Sequence, residues 1–422
     1  MSRRTPLDLT RPLEATAITA AIVASVPSIY LGVLTVVASR TAGGRDPARA
    51  NRSEPTRFAV CVPAHDEAAN IADTVDALVA QQYPAEHFAV HVVADNCSDA
   101  TASIAAERGA TVHVRTDSEN PGKGAALNWL TERLRTDSVD VVVIVDADTV
   151  ADPEFLRALD RSFASGTMVA QAYYGVRDPG TSSTVGLRFA ALACRHHLRP
   201  LARNALGASS GLYGNGMAFR TDVLRHRRWS NHLIEDAEFQ MELLLAGQRV
   251  VYVPDAKVLA EMPSSLEAAR SQSERWELGR AQLVRRFVPR LAARLMRGGP
   301  LPRRAYADAI ADHLVPPLSL QALIDVTALG VSAGATLLVP KRGLRLALVA
   351  SALSCAILVG HVLVGLRLVQ APAAVYRSLR SAPGIVLWKV LLLARIARRP
   401  ADVAWMRTTR NTEQPTRAEV SA

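Results

Sequence analysis

The stretch VVVIVDADTV, residues 141–150, runs five β-branched residues straight into two aspartates separated by one alanine. A short unbroken apolar run bounded by polar residues fits a strand buried on both faces, as parallel sheets with helices on either side require. In such sheets ligands lie outside the carboxyl ends of the strands. Asp146 and Asp148 therefore stand where a ligand would be met, not in the core.

Working outward, FAVCVPA (58–64), FAVHVVAD (88–95) and ATVHVR (110–115) read as further strands, and 67–81, 99–108, 122–135 and 153–165 as helices between them. Strands alternating with helices predict an α/β fold with a mostly parallel sheet. The polar clusters fall at strand ends. PAHDE brings Pro63, Ala64, Asp66 and Glu67, ADNCSD brings Asp95 and Asp99, and DAD brings Asp146 and Asp148. So many carboxylates at one rim repel one another unless a cation or donor groups stand between them. Oxygen ligands of this kind suit Mg²⁺ or Mn²⁺, although a DxD by itself also fits a strand end capped by solvated acids.

Three further stations follow. NPGKGAALNWL (120–130) sets Lys123 in a glycine-flanked turn before a helix, where a cation and open backbone N–H groups can meet a phosphate. It is not a Walker A loop, because the spacing differs and no Ser or Thr follows the lysine. GNGMAFR (214–220) is a small-residue loop, and HLIEDAEFQMELLLAG (232–247) opens a helix with Glu235 and Asp236 in its first turn. QSERW (272–276) puts Gln272 and Trp276 on one helical face with Arg275 beside them, a set able to hold a diphosphate and a sugar ring. Pairing of Arg275 with Glu274 or Glu277 is the plainer reading. His196 and His197 read as a packing pair rather than ligands.

Composition bounds the surroundings. The chain has 422 residues, 49% apolar with 5% aromatic, and a formal net charge of +10. Its basic residues cluster beside apolar runs (Arg40, Arg45, Arg49 and Arg52; Arg367, Arg377 and Arg380), which fits lipid headgroups rather than a nucleic-acid groove. Residues 15–38, 314–339 and 344–366 are long enough to span a bilayer. The first is longer than the core of a signal peptide and reads as a retained anchor. Asp325 inside the second fits either a functional group or a polar residue packed on a neighbouring helix. Residues 383–395 are short and read as interfacial, and 280–304 reads as a basic amphipathic stretch on the inner leaflet. Cys61, Cys97, Cys194 and Cys355 have no metal-ligand spacing, which predicts a reduced compartment without disulfides.

The ordered set PAHDE, ADNCSD, GKG, DAD, ED and QxxRW resembles the membrane-bound family 2 glycosyltransferases of the cellulose-synthase, hyaluronan-synthase and poly-N-acetylglucosamine-synthase kind, over about residues 58–280. The resemblance implies a GT-A type sheet and a hexosyltransferase using a nucleotide-sugar donor, a UDP-sugar first among them, with Mg²⁺ or Mn²⁺. It implies that Pro63, Ala64, Asp66, Glu67, Asp95, Lys123 and Asp146 bind the nucleotide and that Asp146 and Asp148 match the metal-binding DxD. Asp236 would be the general base on the acceptor hydroxyl, while Glu235, Gln272, Arg275 and Trp276 would hold diphosphate and acceptor. The tail segment WMRTTR (405–410) resembles a similar stretch in relatives, near the active site. Two residues depart from the pattern: Ile234 stands where threonine is usual, and Asp66 where asparagine is common.

The expected division is a tail, transmembrane helix and basic linker over 1–54, a catalytic domain over 55–285, and amphipathic, transmembrane and interfacial helices with a cytoplasmic tail over 286–422. The expected reaction is inverting, at the cytoplasmic face of the inner membrane, with a glycan or lipid acceptor in cell-envelope polysaccharide synthesis. An oligomer or export partner would complete a channel. Alternatives are a single-transfer glycolipid synthase, a nucleotidyltransferase and a membrane-tethered nucleotide-binding scaffold. Basic residues after the first helix favour a cytoplasmic catalytic domain; Arg3, Arg4, Arg11, Lys341, Arg342 and Arg345 pull the other way.

Overall fold

The computed structural model describes residues 10–41, 54–134 and 138–396. The basic residues Arg3, Arg4, Arg45, Arg49 and Arg52 and the segment 405–410 lie outside the described residues. After α1 (Thr10–Thr41), the chain builds β1 (Phe58–Ala64), α2 (Ile71–Val79), β2 (Phe88–Asp95), α3 (Thr101–Glu107), β3 (Thr111–Arg115), α4 (Lys123–Arg133) and β4 (Val141–Ile144). The four strands pair in parallel in the order β3-β2-β1-β4. Alternate residues of β1 explain the layering. Phe58, Val60 and Val62 pack with Ile71, Val75 and Leu78 on one face, and Ala59 and Cys61 with Leu127 and Leu130 on the other.

The strand expected over 141–148 stops at Ile144. Val145 N still donates to Cys61 O at 3.1 Å, and the chain then turns, carrying Asp146 and Asp148 off the sheet. It continues as β5 (Thr149–Ala151), α5 (Phe155–Ala164), β6 (Val169–Val176), α6 (Ser183–Ala193), a π-helical turn at Cys194–Leu198, α7 (Arg199–Ala205), β7 (Met217–Arg220), α8 (Thr221–Arg225), α9 (Glu235–Leu245) and β8 (Val251–Ala260). The full order is β3-β2-β1-β4-β7-β6-β8-β5, with β7 antiparallel to both neighbours and β5 antiparallel to β8. Ile144 and Thr149 are five steps apart, about 17 Å at full stretch, yet their strands are four sheet spacings apart, about 19 Å. The sheet must therefore curl around the DAD turn.

α10 (Arg270–Arg297) is one helix through QSERW and the arginine-rich stretch, so the boundary expected at 285 falls inside it. Its apolar residues Leu283, Phe287 and Leu291 pack on Met241, Leu244 and Tyr306. The apolar side of the basic stretch expected on the inner leaflet is therefore packed inside the protein. That face is filled by α9 and by α11 (Arg303–Leu314), and only the basic face is left open.

Helices α1, α12 (Leu318–Leu338) and α13 (Arg342–Leu368) are long and apolar enough to cross a membrane. Small residues draw them together, Ala17 and Ala21 against Ala335 and Ala347, while Ile22, Val26, Leu337 and Leu346 point outward. Asp325 is buried, accepts from Gln321 Nε2 at 2.8 Å and takes Ser28 Oγ of α1 at 3.3 Å. Of its two expected readings, the structure gives the packed one. After α14 (Ala373–Ser378), α15 (Ala382–Ile396) is too short to be among the candidate spans and is tied to α10 by Lys389–Glu277 at 3.0 Å. A buried network joins the body to this bundle: Arg203 meets Asp308 at 2.8 Å and Asp312 at 2.9 Å, and Tyr30 of α1 donates to Asp308 at 2.9 Å.

Candidate active site

The carboxyl ends of β1 and β2 carry the first acids, beside Pro63 and Ala64 where β1 closes. Asp66, at φ 51°, accepts from Ser98 N at 2.7 Å, and Asp99 accepts from Ala68 N and Thr101 N, each at 2.9 Å. These bonds tie the two loops to each other. One ligand atom each of Asp66, Cys97 and Asp99 lie within 4.8 Å of one another, but both carboxylates are engaged by these donors. Glu67 is buried and accepts from Asn70 at 3.1 Å. Asp95 is buried too, bonded to Arg115, its registered neighbour on β3, and to Gly122 N at 3.4 Å. Arg115 also bonds Asp117 at 2.7 Å. Part of the charge that the sequence argument assigned to a metal is thus neutralised by a buried arginine.

The second cluster lies around Gly214. Lys123, at the start of α4, donates to Asp146 and, at 2.6 Å, to Gly214 O. A Cβ on Gly214, whose φ is +80°, would stand 3.3 Å from Asp236 Oδ2 and 3.5 Å from Lys123 Nζ. The lysine that holds the DxD and the acid at the start of α9 therefore face one small space. Asp236 Oδ1 accepts from Ala237 N at 2.8 Å. Burial raises the Asp236 carboxyl above the usual range, against the pull of that N–H and of Lys123. Burial, then the Asp236 charge, pushes Glu235 up to about 7. Burial works against the Lys123 ammonium, but Asp146 and Glu235 outweigh it and its pKa is raised.

The QSERW segment closes the space from α10. Arg275 acts electrostatically on both Glu235 and Asp236. Its Nε is buried and makes no hydrogen bond among the described residues. Glu277, one of the two acids in the plainer reading of Arg275, pairs with Lys389. Gln272 accepts from Arg188 of α6, which lies 5.7 Å over the Trp276 ring. Burial pushes that guanidinium down to about 10. Ile234, the departure from the pattern, packs on Gly279 of α10, where a Cβ would come within 2.8 Å of its side chain.

Several residues that hold this arrangement escaped the sequence reading. Asn215, fully buried, accepts from Asp146 N at 3.2 Å and donates to Thr149 Oγ1 at 2.8 Å. It thereby fixes both ends of the DAD turn. Gln171 in turn donates to Asn215 O at 2.8 Å and accepts from Tyr213 N at 3.0 Å. His196 stacks on Tyr213 with centroids 4.1 Å apart, and burial pushes it down to about 3, so it is a neutral packing ring as expected. No local pattern marks these residues; each is defined by partners far away in the chain.

The donor set fits a hard divalent ion. Asp146 and Asp148 offer carboxylate oxygens from one turn, and Mg²⁺ or Mn²⁺ takes one or two such ligands and completes its shell with phosphate oxygens and water. Lys123 occupies one oxygen of Asp146, and Thr149 Oγ1 approaches Asp148 Oδ1 at 3.5 Å.

Comparison with known proteins agrees. The family described as "Glycosyltransferase like family 2" matches residues 55–279. Glucomannan 4-beta-mannosyltransferase 7 of Arabidopsis thaliana is 24% identical over 242 residues, covering 54% of this chain and 43% of its own length. The Bacillus subtilis protein named "Probable glycosyltransferase YdaM" is 24% identical over 248 residues, covering 57% and 59%. The chain thus spans about half the length of these curated relatives. The solved mannosyltransferase PcManGT from Pyrobaculum calidifontis, in complex with GDP-Man and Mn²⁺, superposes with a TM-score of 0.54 at 19% identity, covering 84% of this chain and 99% of that one. That likeness establishes the GT-A fold.

Proposed function

The chain belongs to glycosyltransferase family 2, and from that premise we propose that it transfers a hexosyl group from a nucleoside-diphosphate sugar to a hydroxyl of a glycan or lipid acceptor at a membrane surface. The observation that carries the reading is the meeting of Lys123 and Asp236 at Gly214, with Arg275 acting on the same acids from α10.

Displacing a nucleoside diphosphate from an anomeric carbon requires negative charge to be neutralised on the leaving phosphates and a proton to be taken from the attacking hydroxyl. A bound Mg²⁺ or Mn²⁺, held by Asp148 and Asp146, supplies charge neutralisation on the diphosphate. Lys123 and Arg275 add fixed positive charge on the same side, and Arg275 Nε makes no hydrogen bond among the described residues. Asp236 takes the proton once the acceptor hydroxyl lies within about 2.6–3.2 Å. Pro63, Ala64, Asp66, Glu67 and Asp95 shape the nucleotide end. Asp95 acts through Arg115 and Gly122 as much as through its own oxygens. Gln272 and Trp276 hold the acceptor, braced by Arg188. No carboxylate is required as a nucleophile, so the displacement is single and inverts the anomeric centre.

Three candidate spans support a membrane-embedded protein, and Arg367, Arg377 and Arg380 beside them favour a cytoplasmic catalytic domain at the inner membrane, in cell-envelope polysaccharide synthesis. The alanine contacts that close α1 against α12 and α13 favour a second reading, one transfer to a lipid at the bilayer surface. Membranes bearing the protein, incubated with labelled GDP-mannose and a panel of UDP-sugars with and without Mn²⁺ or Mg²⁺, separate the two. A metal-dependent ladder of lengths supports polymerisation, and one lipid-soluble spot supports single transfer. No labelled product from any donor would sink both, and a product with the donor's anomeric configuration would sink the single displacement.

A further inference from the structure

Far along α10 from the catalytic acids, three guanidinium groups stand without counter-charge. Arg290, Arg294 and Arg297 line an open cleft of about 280 Å³ floored by Leu245 and Ala293. Their spacing of four and three residues sets them one above another on a single helix face, where like charges repel. Arg286, one turn earlier, is bonded to Glu238. Arg290 has only the Phe287 ring, 5.1 Å away, and among the described residues no carboxylate pairs with Arg290, Arg294 or Arg297.

Arginines in a last helical turn are ordinarily explained by the open carbonyls there. Three of the last four carbonyls here are taken. Arg303 donates from Nε to Leu295 O at 3.1 Å and from Nη2 to Met296 O at 3.4 Å, and Gly298 N donates to Arg294 O at 2.9 Å. The three charges are therefore surplus to the helix end. Guanidinium forks match the oxygens of a phosphate.

We propose that Arg290, Arg294 and Arg297 form a binding site for a phosphate group, that of an anionic lipid headgroup, with a soluble phosphate as the other source of the same chemistry. Arg290 lies about 22 Å along the helix from Arg275, so the site is separate from the catalytic cluster and does not rest on the proposed reaction. Bound there, a phosphate group would hold the far end of α10, the helix that carries QSERW.

The test uses the full chain in mild detergent. In one arm phosphatidylglycerol is added and retained lipid is counted by native mass spectrometry; in the other, inorganic phosphate and diphosphate are titrated against thermal unfolding. One retained phosphatidylglycerol is expected, with affinity falling about fivefold for each guanidinium removed in Arg290→Gln, Arg294→Gln and Arg297→Gln, and with transfer activity in detergent unchanged. The single variants serve if the triple variant does not fold. Stabilisation by phosphate without retained lipid keeps the site and overturns the headgroup. Equal behaviour of wild type and variants in both arms overturns the site.

Discussion

Lys123 and Asp236 meet across Gly214: the lysine bonds the glycine carbonyl, and the aspartate lies where a side chain would begin. Gly214→Ala tests that juxtaposition. The φ of +80° costs an alanine about 1–2 kcal/mol, and the added methyl displaces one or both charged groups. A fall in kcat of about 10²-fold is expected, with a modest loss in melting temperature and intact membrane insertion. Unchanged kcat would separate the two residues functionally.

Asp236→Asn removes the proposed base and keeps its volume. Transfer should drop by about 10²–10⁴-fold, while nucleotide binding, measured by calorimetry on the same sample, stays within a few-fold of wild type. An active variant would take Asp236 out of the role.

The pH dependence follows from the raised carboxyls. Burial, and for Glu235 the neighbouring Asp236 charge, makes the folded chain hold protons that free carboxyls release. The ionised base therefore grows as pH rises through the raised pKa, and kcat/KM should climb toward neutrality. Burial, not Glu235, raises Asp236, so Glu235→Gln should leave this acid limb in place. Stability runs the opposite way: between the ordinary value of 4.5 and about 7 the folded state keeps a proton on Glu235 that the unfolded state has lost, so stability falls as pH rises across that window. The glutamine variant should flatten the decline.

Ile234 and Gly279 bind the start of α9 to α10. Gly279→Ala forces a methyl into the isoleucine and should cost about 1–3 kcal/mol, with a loss of kcat because Asp236 and Arg275 ride on the two helices. Ile234→Val should recover part of both losses. A double-mutant cycle with additive effects would contradict the contact.

Arg203 is 1% exposed and joins Asp308 and Asp312. Arg203→Met leaves Asp308 to Tyr30 and Asp312 to Arg199, for an expected loss of about 3 kcal/mol. Thermal melting of detergent-solubilised protein measures it.

The first half of the sheet was legible because β1 and β4 are apolar runs and β2 is nearly one, with helical segments between the strands. The second half was not. β5 and β7 have three and four residues, and β8 carries Pro254 and Asp255 inside it, which breaks any alternation. The candidate site was legible where residues cluster along the chain, as at Asp146 and Asp148, Glu235 and Asp236, and Gln272 to Trp276. Its supports were not. Arg115 reaches Asp95 only through the β2–β3 register, and Asn215 reaches the DAD turn only because the sheet curls. The arginines of α10 misled for a related reason: their apolar partners on α9 and α11 cannot be read from the helix alone.

The central claim is that Asp148, Lys123, Asp236 and Arg275 surround one sugar-nucleotide diphosphate. Anomalous diffraction from crystals of the full chain grown with Mn²⁺ and a nucleoside diphosphate tests it most directly. The account predicts a manganese peak at Asp148, diphosphate oxygens within hydrogen-bond reach of Lys123 or Arg275, and Asp236 open on the acceptor side. A manganese peak between Asp66 and Asp99, or a diphosphate seated away from Lys123 and Arg275, would contradict it.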